Sequence, residues 1–178
     1  AATTTTYQGN TTTVQDPAVN KRTSITDALG RLTQVTEDPG GLGYNTFYNY
    51  DALDDLTRVC QNGANDSACT GGQKRTFTYD LVKRLQTATN PESAQIGYAY
   101  DANGNVKTRT DARTVTTTYT YDASGRRTST TDALGGVTAY QYDAFGDITR
   151  ITDALGNVTT YTYDANNNRL SETRQRTT

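Results

Sequence analysis

Aspartate is the residue type with which this chain could most readily do chemistry, because it recurs along the whole sequence in short polar stretches. Enzymes need a positioned acid, base or nucleophile, and the chain contains no His, the commonest general base. The aspartates recur at places typical of turns, where a carboxylate that accepts backbone N–H groups explains their presence. We therefore predict that the chain is not an enzyme and has neither catalytic nor cofactor-binding residues.

Two of these polar stretches, residues 101–105 and 164–168, resemble the start of an oxygen-rich calcium loop. A complete loop of that kind also needs a bidentate carboxylate near its twelfth position. The twelfth residues here are Ala112 and Gln175. The turn interpretation is therefore favoured and no metal ligand is predicted, with a weak surface calcium site as the alternative.

An internal repeat positions the aspartates. Tyr-Asp pairs recur at intervals of 21 residues, and a fixed period in this range indicates a repeat architecture. The unit is YDAxGxxTxxTDALGxxTxYx, and its first position falls at Thr5, Thr26, Tyr50, Tyr79, Tyr100, Tyr121, Tyr142 and Tyr163. We predict a single array over residues 1–178, with about eight repeats and with insertions near residues 39–43 and 60–70.

Aromatic residues occupy two fixed positions of the unit, the twentieth and the first of the next unit. Residues two apart in a strand share a face, so each pair projects to one side and stacked units form an aromatic ladder. Its predicted members are Tyr48, Tyr50, Phe77, Tyr79, Tyr98, Tyr100, Tyr119, Tyr121, Tyr140, Tyr142, Tyr161 and Tyr163. This periodic placement predicts a fold, although a mean hydropathy of -0.77 would ordinarily favour disorder.

Each unit carries two turn signals, D-A-x-G and D-A-L-G, about ten residues apart. Asp can accept a hydrogen bond from the N–H two residues on, and Gly tolerates the positive φ of a bulged hairpin loop. The predicted turn residues are Asp101, Gly104, Asp122, Gly125, Asp132, Gly135, Asp143, Gly146, Asp153 and Gly156. Each unit is thus expected to form two short antiparallel strands, and no segment has helical apolar spacing. The predicted fold class is all-β, a spiralling antiparallel sheet of hairpin repeats that is solenoid-like or shell-like.

Charge and hydropathy exclude two classes of partner. The net charge is -2, and basic residues occur only in short stretches such as Arg126-Arg127 and Arg174–Arg176, so a nucleic-acid interface is not predicted. No apolar run is long enough for a membrane span.

The stretches YDANGN, YDASGR, TDALGGVT and TDALGNVTTYTYDA resemble the YD-repeat (Rhs) family over essentially the whole chain. The resemblance implies a long β-sheet that spirals into a hollow shell. Bacterial Rhs toxins and insecticidal toxin complexes use this shell to enclose a toxic polypeptide, and teneurins use a related one in adhesion. It also implies a secreted or cell-surface location and structural roles for the Tyr-Asp positions.

Two local features are weighed against that resemblance. The family's aspartyl self-cleavage motif has the form D-P-x-G-L, and residues 38–42 match it, but they lie between early repeats and are interpreted as a surface turn. Cys60 and Cys69 bracket an inserted loop, and in a family found outside the cytoplasm they indicate a local disulfide. A thiol redox pair is the alternative, although the spacing is not C-x-x-C.

We therefore predict a non-catalytic structural scaffold without cofactors, part of a bacterial β shell that encloses a toxin or other cargo polypeptide. One alternative is an extracellular filament in which the edge strands of successive copies pair. A weaker alternative is an adhesion or carbohydrate-binding module. The predicted partners are flanking repeats, other copies of the chain or an enclosed polypeptide.

Overall fold

The computed structural model describes residues 2–38 and 41–177, and within these ranges it is built of β-strands without a helix. The described part includes no helix with the length and apolar character that a membrane crossing requires. The strands are β1 (Thr4–Gln8), β2 (Thr11–Gln15), β3 (Lys21–Thr26), β4 (Leu32–Asp38), β5 (Tyr44–Tyr50), β6 (Leu56–Gln61), β7 (Gln73–Tyr79), β8 (Leu85–Asn90), β9 (Ala94–Tyr100), β10 (Val106–Thr110), β11 (Thr116–Tyr121), β12 (Arg127–Thr131), β13 (Val137–Tyr142), β14 (Ile148–Thr152), β15 (Val158–Tyr163) and β16 (Arg169–Gln175).

The chain divides into two compact units, Ala1–Gln95 and Ile96–Thr178. In the first unit, strands β1 to β8 lie side by side in chain order. In the second unit, β9 to β16 follow the same rule. Each strand is antiparallel to its neighbours, so the predicted all-β fold of two antiparallel strands per repeat is confirmed. That residues 1–178 form a single array stays a prediction.

The two faces of the strands differ in chemistry, as the period-two pattern requires. On β13, Tyr140 and Tyr142 are half-buried while Gln141 between them is exposed. We call the face that carries positions 20 and 1 of the repeat the aromatic face. The opposite face is rich in hydroxyl groups, and Thr120 Oγ1 lies 2.7 Å from Ser129 Oγ across it.

A β-bulge recurs in the hairpin that follows position 1 of the repeat. Thr120 lies opposite Ser129, but Tyr121 lies opposite Arg127, so the register shifts by one residue between them. The same shift occurs before Tyr142 and Tyr163. An extra residue of this kind bends the strand and increases its twist.

The hydrophobic core is thin, because only Val35, Cys60 and Cys69 are buried apolar residues in the described part of the chain. Position 7 of the repeat begins the second strand of each hairpin. It is half-buried where it is Leu, Val or Ile, and exposed at Arg127 and Arg169. Pro39 and Gly40 of the D-P-x-G-L stretch lie outside the described residues. Next to them, the N–H of Gly43 donates to Asp38 Oδ1 at 3.0 Å.

Candidate functional site: the joint between repeats

The turn that follows position 1 is closed by the aspartate at position 2. Asp122 Oδ1 accepts the N–H groups of Ser124 and Arg126, both at 2.9 Å. Gly125 donates its N–H to the Asp122 carbonyl at 3.0 Å and has a φ of 76°. The predicted bond to the N–H two residues on is present, together with a second bond two residues further. The same two side-chain bonds form at Asp27, Asp51, Asp80, Asp101, Asp143 and Asp164.

The second turn of the unit has the same construction. Asp132 Oδ1 accepts the N–H groups of Leu134 at 2.9 Å and Gly136 at 2.8 Å. Asp153 repeats the pattern with Leu155 and Asn157. The glycines predicted for these turns, Gly135 and Gly156, have φ values of 84° and 83°. In both sets of turns, Oδ1 of the aspartate therefore accepts hydrogen bonds from the backbone of its own turn.

The side chain at position 6 bonds the other carboxylate oxygen. Arg126 Nε donates to Asp122 Oδ2 at 2.7 Å, and Asn168 Nδ2 donates to Asp164 Oδ2 at 2.9 Å. Hydrogen bonds from the backbone and the guanidinium of Arg126 hold the pKa of Asp122 below its ordinary value. The amide and backbone of Asn168 lower the pKa of Asp164 in the same way. Sequence reasoning missed this pairing, although Arg or Asn stands at position 6 in five of the seven repeats that have Asp at position 2.

The tyrosine at position 1 connects its repeat to the one before. Tyr142 Oη donates to the carbonyl of Arg127 at 2.8 Å, and Arg127 is position 7 of the preceding repeat. The same bond joins Tyr50 to Leu32, Tyr79 to Leu56, Tyr121 to Val106 and Tyr163 to Ile148. Burial raises the pKa of the Tyr50 and Tyr79 phenols. The sequence predicted the ring at this position but not the function of its hydroxyl.

We call the contacts that link the turn of one repeat to the tyrosine and the turn of the next repeat the joint. Arg126 shows how these contacts combine. Its guanidinium carbon lies 4.9 Å from the ring centroid of Tyr142, within cation–π distance. Its Nη1 donates to the Asp143 carbonyl at 3.0 Å. One side chain therefore contacts its own turn, the next tyrosine and the next turn. Arg31 likewise lies 4.9 Å from the ring centroid of Tyr50.

The aromatic residues at position 20 have a different environment. Tyr48, Phe77, Tyr98, Tyr119, Tyr140 and Tyr161 are all half-buried. Phe77 takes the place of a tyrosine in one repeat, so the position needs a ring and not a hydroxyl. The predicted ladder thus consists of two rows, one hydrogen-bonded between repeats and one held by packing. Tyr100, predicted for the first row, is the last residue of β9.

Cys60 and Cys69 form a disulfide with a Cα–Cα distance of 5.5 Å, so the predicted bridge is confirmed. It closes the inserted loop between β6 and β7. Arg58 holds the same loop, because its Nη2 donates to Asn65 Oδ1 at 3.2 Å and its Nη1 to the Asp66 carbonyl. Asp66 in turn accepts the N–H of Thr70 at 3.0 Å.

The described residues contain no group of three or more His, Cys, Asp or Glu that could hold a metal ion. At Asp101 and Asp164, the sites weighed for calcium, both carboxylate oxygens of each residue bond the turn itself. The arrangement can therefore bond repeats together.

The chain consists of hairpin repeats, and hydrogen bonds join neighbouring repeats. It is therefore a β-repeat protein. Its family follows from comparison with known proteins. The family model described as RHS Repeat matches residues 100–137, 125–154 and 142–177. These residues therefore consist of RHS repeats, and the resemblance to the YD-repeat (Rhs) family is confirmed. A search of curated proteins finds no match.

Solved structures share the fold. "Crystal Structure of TcdB2-TccC3-Cdc42" is similar with a TM-score of 0.63 and 12% identity, over 97% of this chain and 13% of that chain. "Crystal Structure of TcdB2-TccC3 without hypervariable C-terminal region" is similar with a TM-score of 0.63 and 14% identity, over 98% of this chain and 13% of that chain. The chain therefore spans about an eighth of the length of these structures.

Proposed function

We propose that the chain is a non-catalytic structural segment of an exported or cell-surface bacterial protein, and that its repeats form part of a β shell around a polypeptide cargo. The observation that carries this proposal is the joint between repeats. The bond from Tyr142 Oη to the Arg127 carbonyl, and its four equivalents at Tyr50, Tyr79, Tyr121 and Tyr163, connect five repeats to the ones before them. A sheet stabilised in this way can be extended repeat by repeat without a conventional core.

The RHS repeats and the fold shared with the TcdB2–TccC3 structures support this proposal. The turn aspartates support the non-catalytic part of it. Their carboxylates are hydrogen-bonded in place, as at Asp122 and Asp132, and a group held in this way is poorly suited to exchanging protons with a substrate.

Protease protection in the native full-length protein tests the enclosure of cargo. A non-specific protease should leave the cargo polypeptide intact until denaturant opens the sheet, because a closed shell excludes the protease. The cleavage rate of the cargo is followed by mass spectrometry across a denaturant series. Cargo that is cleaved in the native protein as fast as after unfolding contradicts the proposal.

A filament is the second candidate, and the exposure of two strands favours it. All residues of β1 and of β16 are exposed, and a strand with unpaired backbone groups can pair with another copy. Negative-stain electron microscopy and light scattering of the 178-residue chain separate the two candidates. Filaments whose mass grows with concentration support the filament, whereas a mass that is constant across the series supports the shell segment.

A further inference from the structure

Arg127 differs from the arginines of the joints. Arg31, Arg84 and Arg126 each form an ion pair of 2.7 Å with the aspartate four residues earlier. Arg127 is exposed, and within the described part of the chain it forms no ion pair with a carboxylate. Its guanidinium carbon lies 4.8 Å from the ring centroid of Tyr140 and 6.0 Å from that of Tyr119. The charge thus lies near two rings on the aromatic face.

The groups near Arg127 on this face include three hydroxyls. Thr130 lies opposite Tyr119 in the sheet, which places its side chain on the same face. Thr130 Oγ1 is buried and has no hydrogen-bond partner, which is costly for a hydroxyl. The hydroxyls of Tyr119 and Tyr140 bond no described group. The cluster therefore combines a positive charge with three hydroxyl groups that bond no described group, and the Thr130 hydroxyl among them is buried.

The repeat that begins at Tyr163 shows how the chain itself satisfies such a cluster. Arg169 is the equivalent of Arg127, and its guanidinium carbon lies 5.6 Å from the ring centroid of Tyr161. Its Nη1 is 3.3 Å from Glu172 Oε2. Glu172 lies opposite Tyr161, as Thr130 lies opposite Tyr119. The repeat of Arg169 thus places a carboxylate beside the arginine and the tyrosine. The repeat of Arg127 has Thr130 at the same position.

We propose that Arg127, Tyr119 and Tyr140 bind a glutamate or aspartate side chain of an extended segment of another polypeptide. Charge complementarity requires an anion, and the chain's own Glu172 indicates that a side-chain carboxylate fits beside the ring and the guanidinium. A phosphate polymer fits less well, because recognition of that kind uses a concentrated basic face. The site does not depend on whether the repeats form a shell or a filament.

Nuclear magnetic resonance of the intact chain tests the site directly. The Nε–Hε signal of Arg127 is followed while an end-capped peptide, Gly-Ser-Glu-Ser-Gly, is added. We expect saturable shifts at Arg127, and about tenfold weaker binding of the same peptide with Gln in place of Glu, because the charge-assisted hydrogen bond is lost. Equal affinity for the two peptides overturns the proposal.

Two reciprocal variants provide matched controls. Thr130→Glu supplies an internal carboxylate to Arg127 and should abolish the peptide-induced shifts at that residue. Glu172→Thr removes the internal partner of Arg169 and should create a second site, with new shifts at Arg169 and two peptides bound per chain. Unchanged peptide binding in Thr130→Glu, or no new site in Glu172→Thr, contradicts the proposal. The second variant also removes the ion pair of Glu172 with Arg174, but all residues of β16 are exposed, so the test does not depend on whether the first variant folds.

Discussion

The hydroxyls of Tyr140 and Tyr142 lie two residues apart on one strand, yet only one of them joins two repeats. Tyr142 Oη donates to the Arg127 carbonyl at 2.8 Å, whereas the Tyr140 hydroxyl bonds no described group. Tyr142→Phe should therefore lower the free energy of unfolding by about 1 kcal/mol, a typical net value for such a hydrogen bond. Tyr140→Phe should change it by less than half of that. Urea denaturation of both variants checks the difference, and equal losses would contradict the role of the joint.

Thr114 is a residue under conformational strain. It occupies the place of the turn glycine and has a φ of 64°, a region that a β-branched residue rarely adopts. Thr114→Gly should raise the free energy of unfolding by about 1 kcal/mol, because Gly adopts this conformation without a steric penalty. Gly125→Ala, at a φ of 76°, should have the opposite effect of similar size. Chemical denaturation curves of the two variants provide the measurement.

How far single residues could be predicted depends on whether their partners are local. Asp122 and Gly125 act within one turn, so their types and spacing predicted their conformation. The partner of Tyr142 is a carbonyl fifteen residues earlier on the neighbouring strand, and the repeat pattern does not give the register that brings the two groups together. The pairing of Arg127 with two rings is of the same kind, since it depends on which strands lie side by side.

The turns are the elements that respond to pH. Hydrogen bonds to the carboxylates hold the pKa of Asp101, Asp122 and Asp164 below the ordinary value in the folded chain. As the pH falls, the unfolded chain binds protons first, so the stabilisation is present above about pH 4 and is lost below it. Urea midpoints measured across an acid pH series should fall in this range. Asp122→Asn should reduce the loss, and an unchanged acid dependence in that variant would contradict this explanation.

The loop between β6 and β7 is the element that depends on a covalent bond. The disulfide spans nine positions, from Cys60 to Cys69, and it limits the conformations of the unfolded chain. Replacing both cysteines by Ala should lower the free energy of unfolding by about 2–3 kcal/mol, as expected for a loop of this size. Hydrogen exchange should increase at Ala64 and Gly72, whose N–H groups are bonded within the loop. Protection at Gly125 serves as the control and should not change.

The strands and turns were the features best predicted from the sequence, because each is short and the same pattern of residues recurs in every repeat. Two strands per unit were expected, and the second strands β4, β6, β8, β10, β12, β14 and β16 all begin at position 7 of their repeats. The β-bulge was missed. It arises because the register of the two strands differs by one residue on the two sides of the bulge, as at Tyr121 and Arg127. The pattern of turn residues does not determine this one-residue shift in register.

Over the whole molecule, stability depends on the match between neighbouring repeats and little on a central core. Only Val35 and the two cysteines are buried apolar residues within residues 2–38 and 41–177. In a repeat protein, each repeat contributes its own stability and the stability of its interface with the next repeat. Its length can change by a whole unit, provided that the alternation of faces is preserved.

This reasoning predicts the outcome of deleting one repeat. Removal of residues 122–142 joins Tyr121 to Asp143 and restores the Tyr-Asp pair, so positions 20 and 1 stay on the aromatic face. The shortened chain should keep its β-sheet circular dichroism. Its urea m-value should be lower by about a tenth, because less surface is exposed on unfolding.

Removal of residues 122–141 is the matched control, since it leaves one extra residue between strand and turn. That single residue shifts the register of the strand and would turn its aromatic side chains to the opposite face. The control variant should therefore lose cooperative unfolding, although it is only one residue longer than the first deletion. If both deletions fold equally well, the alternation of faces does not control assembly of the sheet, and the joint between repeats cannot be its organising contact.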